Sequence, residues 1–183
     1  MVVASGCKAD AFATSKIWWV VGFNDKVKEK PAGDAKKMTA PEVWTFFYGS
    51  YMNFDVLREV NLVPARHEVA QLDGFDIRIA PRANLVRSDE SCVWGVLATA
   101  THAELARLYA HAHDVLGETY LPEAVLTRTR KGLYRPALCY ICSQMEPRPA
   151  DPAYVYRIVR PAVEFGFPNW YVEKLRSFAS PPA

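Results

Sequence analysis

Long apolar runs are missing from this 183-residue chain. No stretch approaches the ~20 consecutive apolar residues that a bilayer-spanning helix needs. The block Ile17 to Phe23 (IWWVVGF) is short and is followed by no small-residue cleavage site. Neither a membrane span nor a secretory signal is expected, and the expected location is cytoplasmic. Charge of one sign is also lacking: 22 Lys and Arg face 20 Asp and Glu, for a net charge of +2. No basic stripe interleaved with aromatics is present, which argues against a nucleic-acid surface. Cysteine is sparse, at positions 7, 92, 139 and 142. Cys139 and Cys142 form C-x-x-C, but YRPALCYIC reads as a strand, and positions three apart on a strand point to opposite faces. A shared metal is therefore not expected there, nor a thioredoxin-type motif, which would open a helix. Buried thiols in a reducing compartment are the expectation.

What the chain does have is apolar and aromatic bulk: 50% of residues are hydrophobic and 13% aromatic. That suffices for one packed domain of this length. Residues 1–41 differ in composition, with Ala, Ser, Thr and Lys prominent and the charged stretch KVKEKPAGDAKK closing the segment. They read as a poorly ordered extension ahead of a domain over 42–180. The plainer reading is an unstructured leader with its functional start at Met38. The alternative is that IWWVVGF docks as an edge strand or serves as a protein contact through Trp18 and Trp19.

Within the domain, the first strand is expected over Val43 to Phe47, followed by a helix from Asn53 to about Asn61. Between them stands Tyr48-Gly49-Ser50-Tyr51-Met52. A buried strand broken at glycine and followed at once by a helix is a known way to build an anion site, because the first helical amides have no intrahelical acceptor. The same pattern also fits a plain strand-to-helix connection. Ser50 is not a nucleophile elbow, since Tyr48 and Met52 occupy the places where that motif needs glycine. Strands are expected over 65–72, 75–80 and 92–98, the last broken by Gly95, with a loop over 81–91. Thr101 and Glu104 form a capping box for a helix over 102–114. Residues 120–129 and 134–142 read as a hairpin joined by Arg130-Lys131-Gly132. A proline-rich linker then leads to a helix that Pro161 should kink or end, and a last amphipathic turn or two spans 171–178. Short strands with two or three helices and no βαβ rhythm indicate an α+β fold built on a small mixed or barrel-like sheet.

Four blocks, in order, give the chain a family resemblance: YGSYMN at 48–53, LDGF at 72–75 with Asn84-Leu85, VWGVL at 93–97, and FPNWYVEKL at 167–175. Together they resemble the gamma-glutamylcyclotransferase-like proteins over about 44–178. That resemblance implies a small mixed β-barrel flanked by helices, working without metal or cofactor. It also implies a transferase-type cyclisation: a γ-glutamyl amine, amide or peptide would release 5-oxoproline when its α-amine attacks the side-chain carbonyl. The loop amides of Tyr48, Gly49, Ser50, Tyr51 and Met52 would hold the α-carboxylate. Tyr154, fourteen residues before Pro168, would line the substrate pocket.

Two positions depart from the family pattern. Tyr51 stands where the loop usually carries asparagine, so a bulkier ring is expected to cover or narrow the pocket. The family's base glutamate falls on Ala112 or His113, depending on the direction of counting, and neither is a carboxylate. Glu118, in the loop before Tyr120, and His113, with His111 and Asp114 nearby, are the candidate bases. A domain that has lost the chemistry and binds a carboxylate ligand or a protein is the rival reading.

Overall fold

Strand β1, Glu42–Phe47, is the keel of the domain and hydrogen-bonds on both of its edges. The computed structural model describes residues 40–179. The expected extension, with Trp18, Trp19 and Cys7, therefore lies outside the described residues apart from its last positions. The remaining elements, in order, are a single 3₁₀ turn Ser50–Met52, α1 Phe54–Glu59, β2 His67–Ile79, β3 Ala83–Thr101, α2 His102–Leu116, β4 Leu121–Thr129, β5 Tyr134–Ile141, α3 Pro152–Glu164 and α4 Asn169–Ser177. The five strands run in the order β1-β3-β2-β4-β5, and β5 returns to pair in parallel with β1 through Thr45↔Leu138 and Phe46↔Cys139. All other neighbours are antiparallel. The sheet thus closes on itself in a ring, leaving no free edge among these strands.

The hairpin β2–β3 corrects the expectation of separate short strands and a loop over 81–91. β2 runs unbroken through Leu72-Asp73-Gly74-Phe75. Gly74, at φ +81°, absorbs a register jump from Asp73↔Cys92 to Phe75↔Arg87, a bulge that a residue with a Cβ would strain. Residues 83–86 alternate buried and half-buried, a strand period that the polar composition of the segment conceals. Gly95 does not break β3 either. A Cβ there would lie 2.5 Å from both Phe46 Cζ and the Phe47 carbonyl oxygen, so glycine is what lets the Phe46 ring seat fully buried against the sheet.

The helices begin and end on local chemistry. The Asn53 side chain accepts from the Asp55 amide to open α1, and Asn61, at φ +57°, turns the chain away after it. The Thr101/Glu104 capping box of α2 is formed in both directions. α2 extends to Leu116 and closes at Gly117, in the left-handed conformation. Asp151 caps α3, which passes through Pro161 without ending there. The bond forfeited is the one to the carbonyl of Arg157, an exposed residue, while the proline ring itself is buried. α3 and α4 bury Tyr154, Ile158, Tyr171 and Leu175 in the shared core. Cys139 and Cys142 are buried and unpaired.

Candidate functional site

The end of β1 and the 3₁₀ turn form one wall of a small aromatic cavity. Tyr48 is buried, and its hydroxyl donates to the Tyr140 carbonyl on β5 at 2.7 Å, which pins the loop to the far side of the ring. Gly49 is needed for a close approach: a Cβ would come within 3.0 Å of the Ala83 side chain and 3.7 Å of the Tyr154 hydroxyl. The Met52 amide donates to the Gly49 carbonyl at 3.0 Å, and the Met52 side chain is wholly buried. Met52, expected among the carboxylate-holding residues, therefore closes the turn and does not line the cavity. Gly49, Ser50 and Tyr51 remain on the cavity wall.

Tyr154 and Tyr120 clamp Ala83 from both sides. The Ala83 amide donates to the Tyr154 hydroxyl at 3.1 Å, and the Tyr120 hydroxyl donates to the Ala83 carbonyl at 2.9 Å. The remaining wall is a chain of rings. Tyr51 meets Phe47 edge-on at 6.4 Å between centroids, and Tyr109 stacks flat on Tyr140 at 3.6 Å. Such contacts hold a ring in one orientation and are worth about 1 kcal/mol each. Burial pushes the phenols of Tyr48, Tyr109, Tyr120 and Tyr154 up from their ordinary range, and pushes that of Tyr51 up to about 12. For Tyr154, donors on Ala83 and Ser50 and the Arg82 guanidinium oppose that rise. All of these groups are neutral hydroxyls near neutrality. Tyr48 and Tyr120 already donate their one proton to the Tyr140 and Ala83 carbonyls. The Tyr154 hydroxyl instead accepts from the Ala83 amide and keeps its proton for a substrate or an oxyanion. None of them can act as a base there.

The space is about 30 Å³, room for about one or two water molecules. Beside it opens a larger cleft of about 190 Å³ that shares Ser50, Tyr51 and Tyr154 with the cavity and is completed by Arg82, Arg157, His111 and Glu59, among others.

The two candidate bases stand away from the cavity wall. Glu118 is only 6% exposed; its carboxylate accepts from the Cys142 thiol at 3.7 Å and lies 3.7 Å from the Arg148 guanidinium. His113 is exposed at the end of α2, with Nδ1 at 3.1 Å from the Thr119 hydroxyl, and its carbonyl accepts the Gly117 amide that closes the helix. Ala112 is fully buried. Among the described residues, no carboxylate and no imidazole lines the small cavity.

Sequence reasoning placed Tyr48, Gly49, Ser50, Tyr51 and Tyr154 together, and the structure brings these five to one cavity. It missed Ala83, Tyr109, Tyr120 and Tyr140. The signal for Tyr109 was available, one helical turn beyond Leu105 on the same face of α2; Ala83 lay inside the segment misread as a loop. Asn84 also gains a structural part: its side chain bonds both the carbonyl and the amide of Cys142, at 2.6 and 3.0 Å, tying β3 to the end of β5 just below Glu118.

No protein-family model matches the sequence, and no curated protein matches it by sequence. Solved structures do match. One named "Gamma-glutamyl cyclotransferase" is 26% identical with a TM-score of 0.66, over 75% of this chain and 88% of that one. An uncharacterized protein from Homo sapiens is 25% identical with a TM-score of 0.66, over 74% of this chain and 87% of the other. YkqA from Bacillus subtilis is 26% identical with a TM-score of 0.62, over 77% of this chain but 55% of its own. The chain is thus similar in fold to a gamma-glutamyl cyclotransferase, the family that its four motifs resemble. No helix among the described residues is long and apolar enough to cross a membrane.

Proposed function

We propose that this gamma-glutamylcyclotransferase-like protein acts on a γ-glutamyl amine, amide or peptide and releases 5-oxoproline. The observation that carries the proposal is the junction of the Gly49–Tyr51 amides with the Tyr154 and Tyr120 hydroxyls at one cavity, in a fold shared with a protein named for this activity. The Gly49, Ser50 and Tyr51 amides hold the substrate's α-carboxylate. The α-amine nitrogen then bonds to the γ-carbonyl carbon, and the carbonyl oxygen carries the developing charge toward the Tyr154 hydroxyl, whose proton is not already donated. Collapse of the tetrahedral species breaks the scissile C–N bond. The proton lost by the attacking amine passes to the departing one, so no water is consumed.

Glu118 is the base in this reading, as the buried carboxylate nearest in sequence to the Tyr120 wall; His113, held at the surface by Thr119, is the weaker candidate. The space of about 30 Å³ is too small for a γ-glutamyl group. Binding in this reading requires the Tyr51 ring to swing off the cavity wall, and the base role requires Glu118 to reach the substrate amine from outside the present lining. A reducing, cytosolic setting belongs to the same reading and fits the unpaired buried thiols.

One observation favours a second reading. Where the resemblance implies a base glutamate, Ala112 or His113 stands, and among the described residues the small cavity has neither carboxylate nor imidazole on its wall. A module that holds a carboxylate ligand without turning it over fits that chemistry. The decisive assay is 5-oxoproline release from a panel of γ-glutamyl amines, amides and peptides. Product from any member supports the enzyme. Binding of a γ-glutamyl compound to the folded protein, with no product from the whole panel, leaves the non-catalytic module.

A further inference from the structure

The cleft beside the aromatic cavity carries two guanidinium groups that pair with no carboxylate among the described residues. Arg82 lies 4.6 Å over the Tyr154 ring, a cation–π contact that fixes its position at the boundary between the two spaces. Arg157 follows Tyr154 by three residues on α3 and so shares its face of the helix. Among the described residues, neither arginine has a carboxylate oxygen within 4.0 Å, and Glu59, the one acid on the cleft wall, makes no ion pair either. Two guanidinium groups thus share with one carboxylate the wall of a space of about 190 Å³. The cleft meets the cavity at Ser50, Tyr51 and Tyr154, so a molecule whose glutamyl end sits on the loop amides extends its other end into the cleft.

We infer that Arg82 and Arg157 form a subsite for a carboxylate on the amine portion of the substrate, which makes the preferred substrates γ-glutamyl amino acids or peptides rather than γ-glutamyl alkylamines. Guanidinium is suited to this because its planar donors match a carboxylate in pairs. The inference rests on the proposed function for the loop end of the molecule, and its test separates the two.

The probes are γ-glutamyl-alanine and γ-glutamyl-alanine amide, which differ only in that terminal group. Both are measured on the full chain for 5-oxoproline release and, by calorimetry, for binding. The wild type is expected to favour the carboxylate by about tenfold or more in kcat/KM. Arg157→Gln, an exposed position, should bring that ratio close to unity, mainly through a higher KM for γ-glutamyl-alanine, and Arg157→Lys should retain part of the preference. Equal turnover of both probes by the wild type overturns the subsite and leaves the activity standing. Absence of product from both defeats the activity, and the calorimetric affinities then decide the subsite. A preference for the carboxylate that Arg157→Gln removes upholds it; equal affinities, or none, overturn it.

Discussion

The Tyr51 ring meets that of Tyr109 edge-on, with centroids 5.9 Å apart and planes at 86°, and this contact closes the aromatic cavity from the loop side. Tyr51 comes from the turn after β1, Tyr109 from the middle of α2. In the resemblance read from the sequence, Tyr51 stands where asparagine is expected, so this contact belongs to the chain's departure from that pattern.

Tyr51→Asn is expected to open the cavity into the adjoining cleft. It removes edge-to-face contacts with Phe47 and Tyr109, costing about 1 to 3 kcal/mol of stability. At the same time kcat/KM for 5-oxoproline release, or affinity for a γ-glutamyl ligand, should rise several-fold. Urea unfolding and the product assay report the two effects separately. A fall in both stability and ligand affinity would show that the Tyr51 ring contacts the ligand rather than excluding it.

Glu118→Gln should lower kcat roughly a hundredfold or more if Glu118 is the base, with KM little changed. His113→Gln should stay within a few-fold of wild type, since the imidazole faces solvent and Thr119. The reverse order of effects would transfer the role to His113.

Asn84→Ala strands the amide and carbonyl of Cys142, both of which the asparagine side chain now satisfies. The expected loss is about 2 kcal/mol, read from the urea midpoint. Because Cys142 also donates to Glu118, turnover per folded molecule should fall as well. An unchanged midpoint would mean that solvent replaces these bonds without cost.

Stability should decline above pH 10. The Tyr51 phenol titrates at about 12 in the folded chain against an ordinary value of 10.0, and Tyr48, Tyr109, Tyr120 and Tyr154 are shifted in the same direction by burial. The unfolded chain therefore loses these protons first. The contribution is complete below about pH 10 and declines as the pH rises, with that of Tyr51 gone above about pH 12. Urea midpoints taken between about pH 8 and pH 11 should fall, and tyrosinate absorbance should rise together with loss of tertiary structure. A smooth titration at ordinary pH with constant midpoints would show these rings to be solvated.

Sequence alone determined the elements whose signals are local. The Val43–Phe47 strand, the Thr101/Glu104 capping box, the hairpin about Arg130-Lys131-Gly132 and the break at Tyr48-Gly49-Ser50 each depend on residues a few positions apart, and each is found where it was expected. Their order was enough to place the chain beside one family. Tertiary structure decided what depends on partners distant in sequence. Gly95 and Pro161 read as breakers because their cost is local, whereas the Phe46 ring that needs Gly95 and the core that buries Pro161 come from elsewhere in the chain. The segment 81–91 looked like a loop because its polar residues face outward from a strand whose partner is β2. The loop Tyr48 to Tyr51 forms half of a cavity. Its other half, Ala83, Tyr109, Tyr120 and Tyr140, is brought to it only when the sheet closes into a ring, and no spacing within a single chain segment encodes that closure.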